Sequence, residues 1–369
     1  MFKSFVSLIS GENIDILVLD QANKNFLKDY CFPKNLSYEF IDIDKILFVK
    51  EKFFIWNLLK KIISNGLNLA SFIAAVVDSK KPKLVISYID NNPVIQKLGL
   101  ILPSQKIILI QNGIRINQKH SYGLVAGKAP IIFGYGEIHE KLLNTHNIVP
   151  KKFYRVGSLK SGIFLSQISK KKILDDKDEY ISFISQYIPK KSQCEFNKNL
   201  NQISEKIFKY SLDWCRENKI KLTLIMRYSR ASDLYEEELN FFLKLLDIKN
   251  EFFSYFAKDT DDLESYHVAF NAKINLTAYS TLGFEIFGIG GKVLFYKGID
   301  DSLDFIPDSL NIEKINKQTI FRKMDSLYKI CDKDFLNQTK KIRNNLFAKD
   351  KFPAHTVIKN YIKNEISRV

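Results

Sequence analysis

The amino-acid sequence predicts an α/β protein of two doubly wound domains in tandem. Short apolar, β-branched runs recur along the chain with longer helical patterns between them, as in parallel sheets covered on both faces. The series of runs is interrupted once, by a polar and charged stretch near the middle. At 369 residues the chain is too long for one comfortable hydrophobic core, and its 46% apolar and 13% aromatic residues supply material for two.

In the first half the runs fall at 14–19, 84–89, 107–110, 131–133 and 153–156. The break is the stretch 166–180, rich in Lys, Asp and Ser, and is read as the linker. A second series follows at 181–184, 222–226, 252–256, 268–270, 274–276 and 293–295, with helical periodicity at 197–218 and 235–246. The expected domains are therefore 1–165 and 178–350, with 351–369 as a terminal helix crossing back onto the first domain. On that helix His355, Val357, Ile358, Tyr361 and Ile362 form the apolar side.

The formal net charge is +15, so polyanionic partners are favoured: anionic lipid headgroups, phosphorylated or carboxylated sugars, or nucleic acid. The basic residues are scattered in short clusters without an Arg-rich arm or a recognisable nucleic-acid module, and nucleic acid is not expected as a partner. Cys31, Cys194, Cys215 and Cys331 stand far apart, which excludes C-x-x-C metal or redox motifs and fits reduced thiols in a cytoplasmic protein. The N-terminal apolar run reads as a first strand. The most apolar stretch, 62–77, is shorter than the roughly 20 residues of a spanning helix. Phe53, Phe54, Ile55 and Trp56 adjoin Lys60 and Lys61, the mixture of an interfacial helix, although a core helix is the favoured reading. Peripheral contact with an anionic inner membrane is the corresponding expectation.

Open parallel sheets bind ligands beyond the carboxyl ends of their strands. The residues found there are Asp90-Asn91-Asn92-Pro93, Gln111-Asn112-Gly113-Ile114-Arg115 and Gly134-Tyr135-Gly136-Glu137 in the first half, and Arg227-Tyr228-Ser229-Arg230 and Thr277 through Glu285 in the second. Ser280 or Thr281 can cap a helix whose free N–H groups suit a phosphate. Glu285, four residues after Thr281, shares its helix face.

Y-S-T-L-G-F-E-I-F-G-I-G-G over 279–291 resembles the nucleotide-binding element of GT-B surface-carbohydrate enzymes: capsule Kdo transferases, bacterial polysialyltransferases and polyglycerol-phosphate transferases. F-G-Y-G-E at 133–137, Y-R-V-G-S at 154–158 and I-Q-N-G at 110–113 are similar to further elements of that group. The resemblance implies two Rossmann-like domains holding a nucleotide-sugar donor between them, with Ser280 and Thr281 on the donor phosphate and Glu285 on its ribose. It also implies a glycan or lipid-linked glycan acceptor, with no cofactor beyond the nucleotide-sugar co-substrate.

Two departures matter. Asn112 stands where relatives carry His, so no imidazole is available at that turn. Arg227 and Arg230 replace a His-Pro element with permanent cations, which suit an acidic, CMP-linked sugar such as Kdo or a nonulosonic acid. The base is then expected to be a carboxylate, Asp90 ahead of Glu137, with Asp90 either taking the proton or orienting the acceptor. His120 is the remaining catalytic candidate, placed to reach acceptor or phosphate, and Asn112, Gly113 and Arg115 are expected as a donor or anion site. His139, His146, His267 and His355 are expected on helix or loop surfaces. No metal ligand set is seen, and Arg115, Arg227 and Arg230 are expected to stabilise charge. Transfer of a polyol phosphate from CDP-glycerol, or an inactive scaffold of an assembly complex, are the alternative readings.

Overall fold

The structure, a computed structural model, describes residues 6–10, 13–43, 46–50, 54–115, 126–168, 178–192, 194–246, 251–259, 263–298, 303–347 and 352–367. It divides into two compact units: Met1–Ile163 with Phe347–Val369, and Phe164–Leu346. Most of the stretch read as a linker lies outside the described residues, and its end, from Asp178, is already strand.

The first unit begins with β1 (Val6–Ser10), β2 (Ile16–Val18), the short α1 (Lys24–Phe26) running into a π turn, β3 (Tyr38–Phe40) and β4 (Ile46–Lys50). Then follow α2 (Phe54–Asn65), α3 (Leu69–Lys80), β5 (Leu84–Ser87), α4 (Pro93–Ile101), β6 (Ile107–Ile110), β7 (Gly127–Gly134), α5 (Glu137–Thr145), β8 (Ile148–Arg155) and α6 (Leu159–Gln167), whose residues from Phe164 onward are counted with the second unit. Six strands form one parallel sheet in the order β3-β2-β5-β6-β7-β8, and β1 pairs with β4 apart from it. Every residue of β2, β5 and β6 is buried, so these strands read as unbroken apolar runs. Their side chains pack against Ile73, Ala74, Val77, Ile95 and Leu98 of α3 and α4. Asn92 caps α4 by accepting the Val94 amide at 2.9 Å, with Pro93 in the first turn.

The second unit contains β9 (Asp178–Ile184), α7 (Glu195–Glu217), β10 (Lys221–Ile225), α8 (Tyr235–Leu243), β11 (Phe253–Phe256), α9 (Glu264–Asn271), β12 (Ala272–Thr277), α10 (Thr281–Gly288), β13 (Val293–Phe295), α11 (Lys317–Lys329) and α12 (Asp332–Leu346). Its sheet is parallel, in the order β11-β10-β9-β12-β13. The last helix, α13 (Ala354–Ser367), belongs to the first unit. It buries Ile358, Ile362 and Ile366, sets Tyr361 edge-on to Phe133, and joins Lys106 through Glu365 at 2.5 Å.

Two expectations are corrected. The run 268–270 is the last turn of α9, because Tyr266, Ala269 and Phe270 bury one helical face and the strand begins only at Ala272. The segment around Trp56 is not a core helix: Phe54 is buried, yet Ile55 and Trp56 are exposed. Helix α2 is apolar on both sides, and a one-dimensional pattern does not separate an inward stripe from an outward one.

Candidate functional site

In a doubly wound sheet the ligand crevice opens where the strand order reverses, at the carboxyl edge. The reversal lies between β2 and β5 in the first unit and between β9 and β12 in the second.

In the first unit this edge is closed by buried polar bonds. Asp20, just after β2, accepts the Tyr88 amide at 2.8 Å and the Ser87 hydroxyl at 2.9 Å. Burial raises its pKa above the ordinary carboxylate value, against the pull of those bonds. Asp90 is only 6% exposed. Arg115 grips it in a fork: its Nε donates to one carboxylate oxygen at 3.3 Å and its Nη2 to the other. The Asn112 amide donates to Asp90 at 3.2 Å, and Asn112 Oδ1 accepts from Arg115 at 2.6 Å. Gln111 ties the same turn together by donating to the Gly113 carbonyl and accepting the Tyr135 amide, each at 2.8 Å. Asp90, Asn112, Gly113 and Arg115 are thus one cluster, as their places after β5 and β6 require. Both oxygens of Asp90 are engaged within it, whereas an acceptor-activating base was expected.

Glu137 opens α5 and pairs with Lys141 at 2.7 Å and Arg155 at 3.7 Å. The hydrogen bond from Lys141 is the main reason its pKa lies below the usual carboxylate range, which makes it a poor proton acceptor. His120 lies outside the described residues.

His139 was expected on a surface and is 2% exposed, edge-on to Tyr135, with no hydrogen-bond partner for its Nδ1 among the described residues. Burial, with the charge of Arg115 behind it, pushes its pKa down to about 3 from 6.5. The folded imidazole therefore stays neutral while the unfolded chain takes up the proton first as the pH falls. Its contribution is complete above about pH 6.5 and is lost at about 1.4 kcal/mol per pH unit on the way down toward 3. Between pH 5.5 and 4.5, where the unfolded imidazole is almost fully protonated and the folded one is not, His139→Phe should remove about that much of the acid sensitivity seen in denaturant unfolding. Equal sensitivity in the two proteins would contradict a neutral buried imidazole.

In the second unit α10 starts four residues after the end of β12, beside the reversal. Ser280 occupies the cap position in extended conformation, and its side chain makes no capping hydrogen bond. Its amide donates to Thr277 Oγ1 at 3.1 Å, and Thr277 Oγ1 donates to the Ile184 carbonyl of β9 at 3.2 Å, so the turn is pinned across the reversal. Gly283 lets the helix press on the strand: a Cβ there would meet Thr277 Cγ2 at 2.7 Å. The Gly-rich turn that follows is a chain reversal, with Gly290 at φ +107° and no room at Gly291 beside Ile286. Glu285 shares the Thr281 face as the spacing predicts, but the face turns inward at that level. The carboxylate is 4% exposed and accepts the Tyr266 hydroxyl of α9.

Arg227, at the end of β10, is exposed and donates to the Tyr187 carbonyl at 3.0 Å. Its backbone is held by Glu238 of α8, a fully buried carboxylate missed in the sequence. Glu238 accepts the amides of Arg227 and Tyr228 at 3.0 and 2.9 Å and the Ser185 hydroxyl. Arg230 pairs with Asp259 at 3.1 Å on an open surface, a pair of little energetic weight.

Residues 108–366, more than half of the chain, match the model of a family described as "putative O-antigen biosynthesis protein". The chain belongs to this family. No curated protein matches it. Among solved structures, this family member is similar to S. aureus MnaA in a co-structure with UDP, at 14% identity over 96% of this chain and 97% of that one, with a TM-score of 0.59. It is similar to Methanocaldococcus jannaschii UDP-GlcNAc 2-epimerase in complex with UDP-GlcNAc and UDP, at 13% identity over 97% and 100%, with a TM-score of 0.54. It is also similar to the wall teichoic acid polymerase TagF, at 9% identity over 99% and 90%, with a TM-score of 0.51. Identities this low carry the fold alone, and that fold is GT-B, two Rossmann-like domains in one chain.

Proposed function

We propose that this O-antigen biosynthesis family member is a glycosyltransferase that moves a sugar from a nucleotide-activated donor to a glycan acceptor. One observation carries the reading: α10 opens at the strand-order reversal of the second sheet with the Ser280 hydroxyl unused for capping. The first amides of a helix lack partners within it and carry partial positive charge, which suits the donor phosphates. Arg227 adds a permanent cation at the same sheet edge, which supports an acidic donor of the CMP-linked kind. The likeness to structures solved with UDP and UDP-GlcNAc supports a nucleotide ligand on this fold. A ribose contact from Glu285 requires the bond from Tyr266 to give way.

Incubation with CMP-, UDP- and GDP-sugars or CDP-glycerol, each with a lipid-linked glycan acceptor, tests the reading through release of free nucleotide. Acceptor-dependent release is expected, greatest with CMP-linked acidic sugars. Release from CDP-glycerol alone would mark a polyol-phosphate transferase, and nucleotide binding without turnover would mark a scaffold.

A further inference from the structure

Helix α2 carries two apolar faces. At 100° per residue Phe54 and Leu58 fall together and face inward, Phe54 buried and Leu58 packed against the core. Ile55, Leu59 and Ile63 follow at spacings of four on another side, with Trp56 beside them, and they are 65%, 46%, 84% and 58% exposed in the order Ile55, Leu59, Ile63, Trp56. Leu67, just past the helix end, is as open as Ile63. Large apolar side chains on a soluble surface are normally scattered, so a continuous outward stripe marks a contact surface.

The border of the stripe is basic. Lys60 is exposed and sits over the Trp56 ring, 5.3 Å from its centroid. Lys61 turns the other way and pairs with Asp78 at 2.8 Å. The helix FIWNLLKKIISN has no acidic residue. A short helix with Trp, Ile and Leu on one side and Lys at the margin has the make-up of one lying in a bilayer interface, where the rings and aliphatic chains enter the acyl boundary and the ammonium meets lipid phosphate. Its 12 residues span about 18 Å, too little to cross, and among the described residues no helix is long and apolar enough to do so. The net charge of +15 favours an anionic lipid surface over a second copy of the same cationic chain.

We infer that α2 docks this protein on an anionic bilayer surface through Ile55, Trp56, Leu59 and Ile63, with Lys60 at the headgroups. This goes beyond the glycosyl-transfer reading and does not depend on it. The test is co-sedimentation of the full chain with phosphatidylcholine vesicles, with and without about one quarter phosphatidylglycerol. Binding to the anionic vesicles should be at least about tenfold tighter than to the neutral ones. The triple variant I55S/L59S/I63S should bind them about tenfold more weakly at unchanged melting temperature, since all three side chains are already exposed. K60E should weaken binding in the same direction. Trp56 emission should shift to the blue on binding and the shift should vanish in Trp56→Phe, because the other tryptophan, Trp214, is already buried. Wild-type binding by the triple variant would show that overall charge alone holds the protein, and would overturn the inference. So would a wild-type dimer that the triple variant dissociates while vesicle binding is absent. Loss of vesicle binding with nucleotide release intact would leave the proposed reaction standing.

Discussion

Asp90→Ala is expected to destabilise the first unit by about 3–5 kcal/mol, the usual cost of removing one member of a buried ion pair. Arg115 and Asp90 are both nearly inaccessible, and the guanidinium reaches both carboxylate oxygens. Removing the carboxylate also strips the Asn112 amide of its acceptor, in the turn that Gln111 braces against Tyr135. Hydrogen exchange at the amides of β5 and β6 reads the effect on that unit without assuming that the whole chain unfolds in one step. The double variant Asp90→Ala with Arg115→Met should recover much of the loss, because neither member of the pair is then buried without the other. A loss under about 1 kcal/mol in the single variant would show that the pair is solvated in solution.

Glu238→Ala is the counterpart in the second unit, with an expected cost of about 3 kcal/mol. Three donors converge on its carboxylate, and two of them are the backbone amides of Arg227 and Tyr228. Burial raises its pKa, and the hydrogen bonds from Ser185, Arg227 and Tyr228 work against that rise. Loss of the carboxylate should therefore free the turn that carries Arg227 as well as weaken the unit. Glu238→Gln should cost less, about 1–2 kcal/mol, since one acceptor oxygen survives while the new amide confronts a donor. Unfolding of the variants followed by exchange at β9 and β10 checks both values. An alanine variant as stable as wild type, with slow exchange at Arg227 and Tyr228, would contradict this role.

The strand runs in the sequence led directly to the sheets. The buried run 107–110 coincides with β6, and the apolar periodicity after Tyr235 starts α8 at the right residue. The edge strand β3 escaped notice because its three half-buried residues carry no run to see. The site was legible as positions more than as roles. Asp90, Asn112 and Arg115 were identified by their places after strands, but their mutual binding depends on β5 and β6 being neighbours, which spacing does not state. Glu238 sits in the run Glu236-Glu237-Glu238, which reads as a solvated first turn, and only the phase of the helix buries the third carboxylate. His139 is hidden in the polar text Glu137-Ile138-His139-Glu140-Lys141 for the same reason. With Glu285 the helical arithmetic holds, and the direction in which that face points is decided by α9 and its Tyr266.

Calorimetric titration of CMP and UDP into the wild type and Thr281→Asp bears most directly on a donor phosphate seated at the start of α10. An aspartate in the first turn favours the helix through its dipole, so the fold and melting temperature should hold or improve, while its charge opposes a phosphate at the same amides. Binding at least about tenfold weaker in the variant is the expected result. Equal affinity in the two proteins would place the nucleotide elsewhere and contradict the assignment.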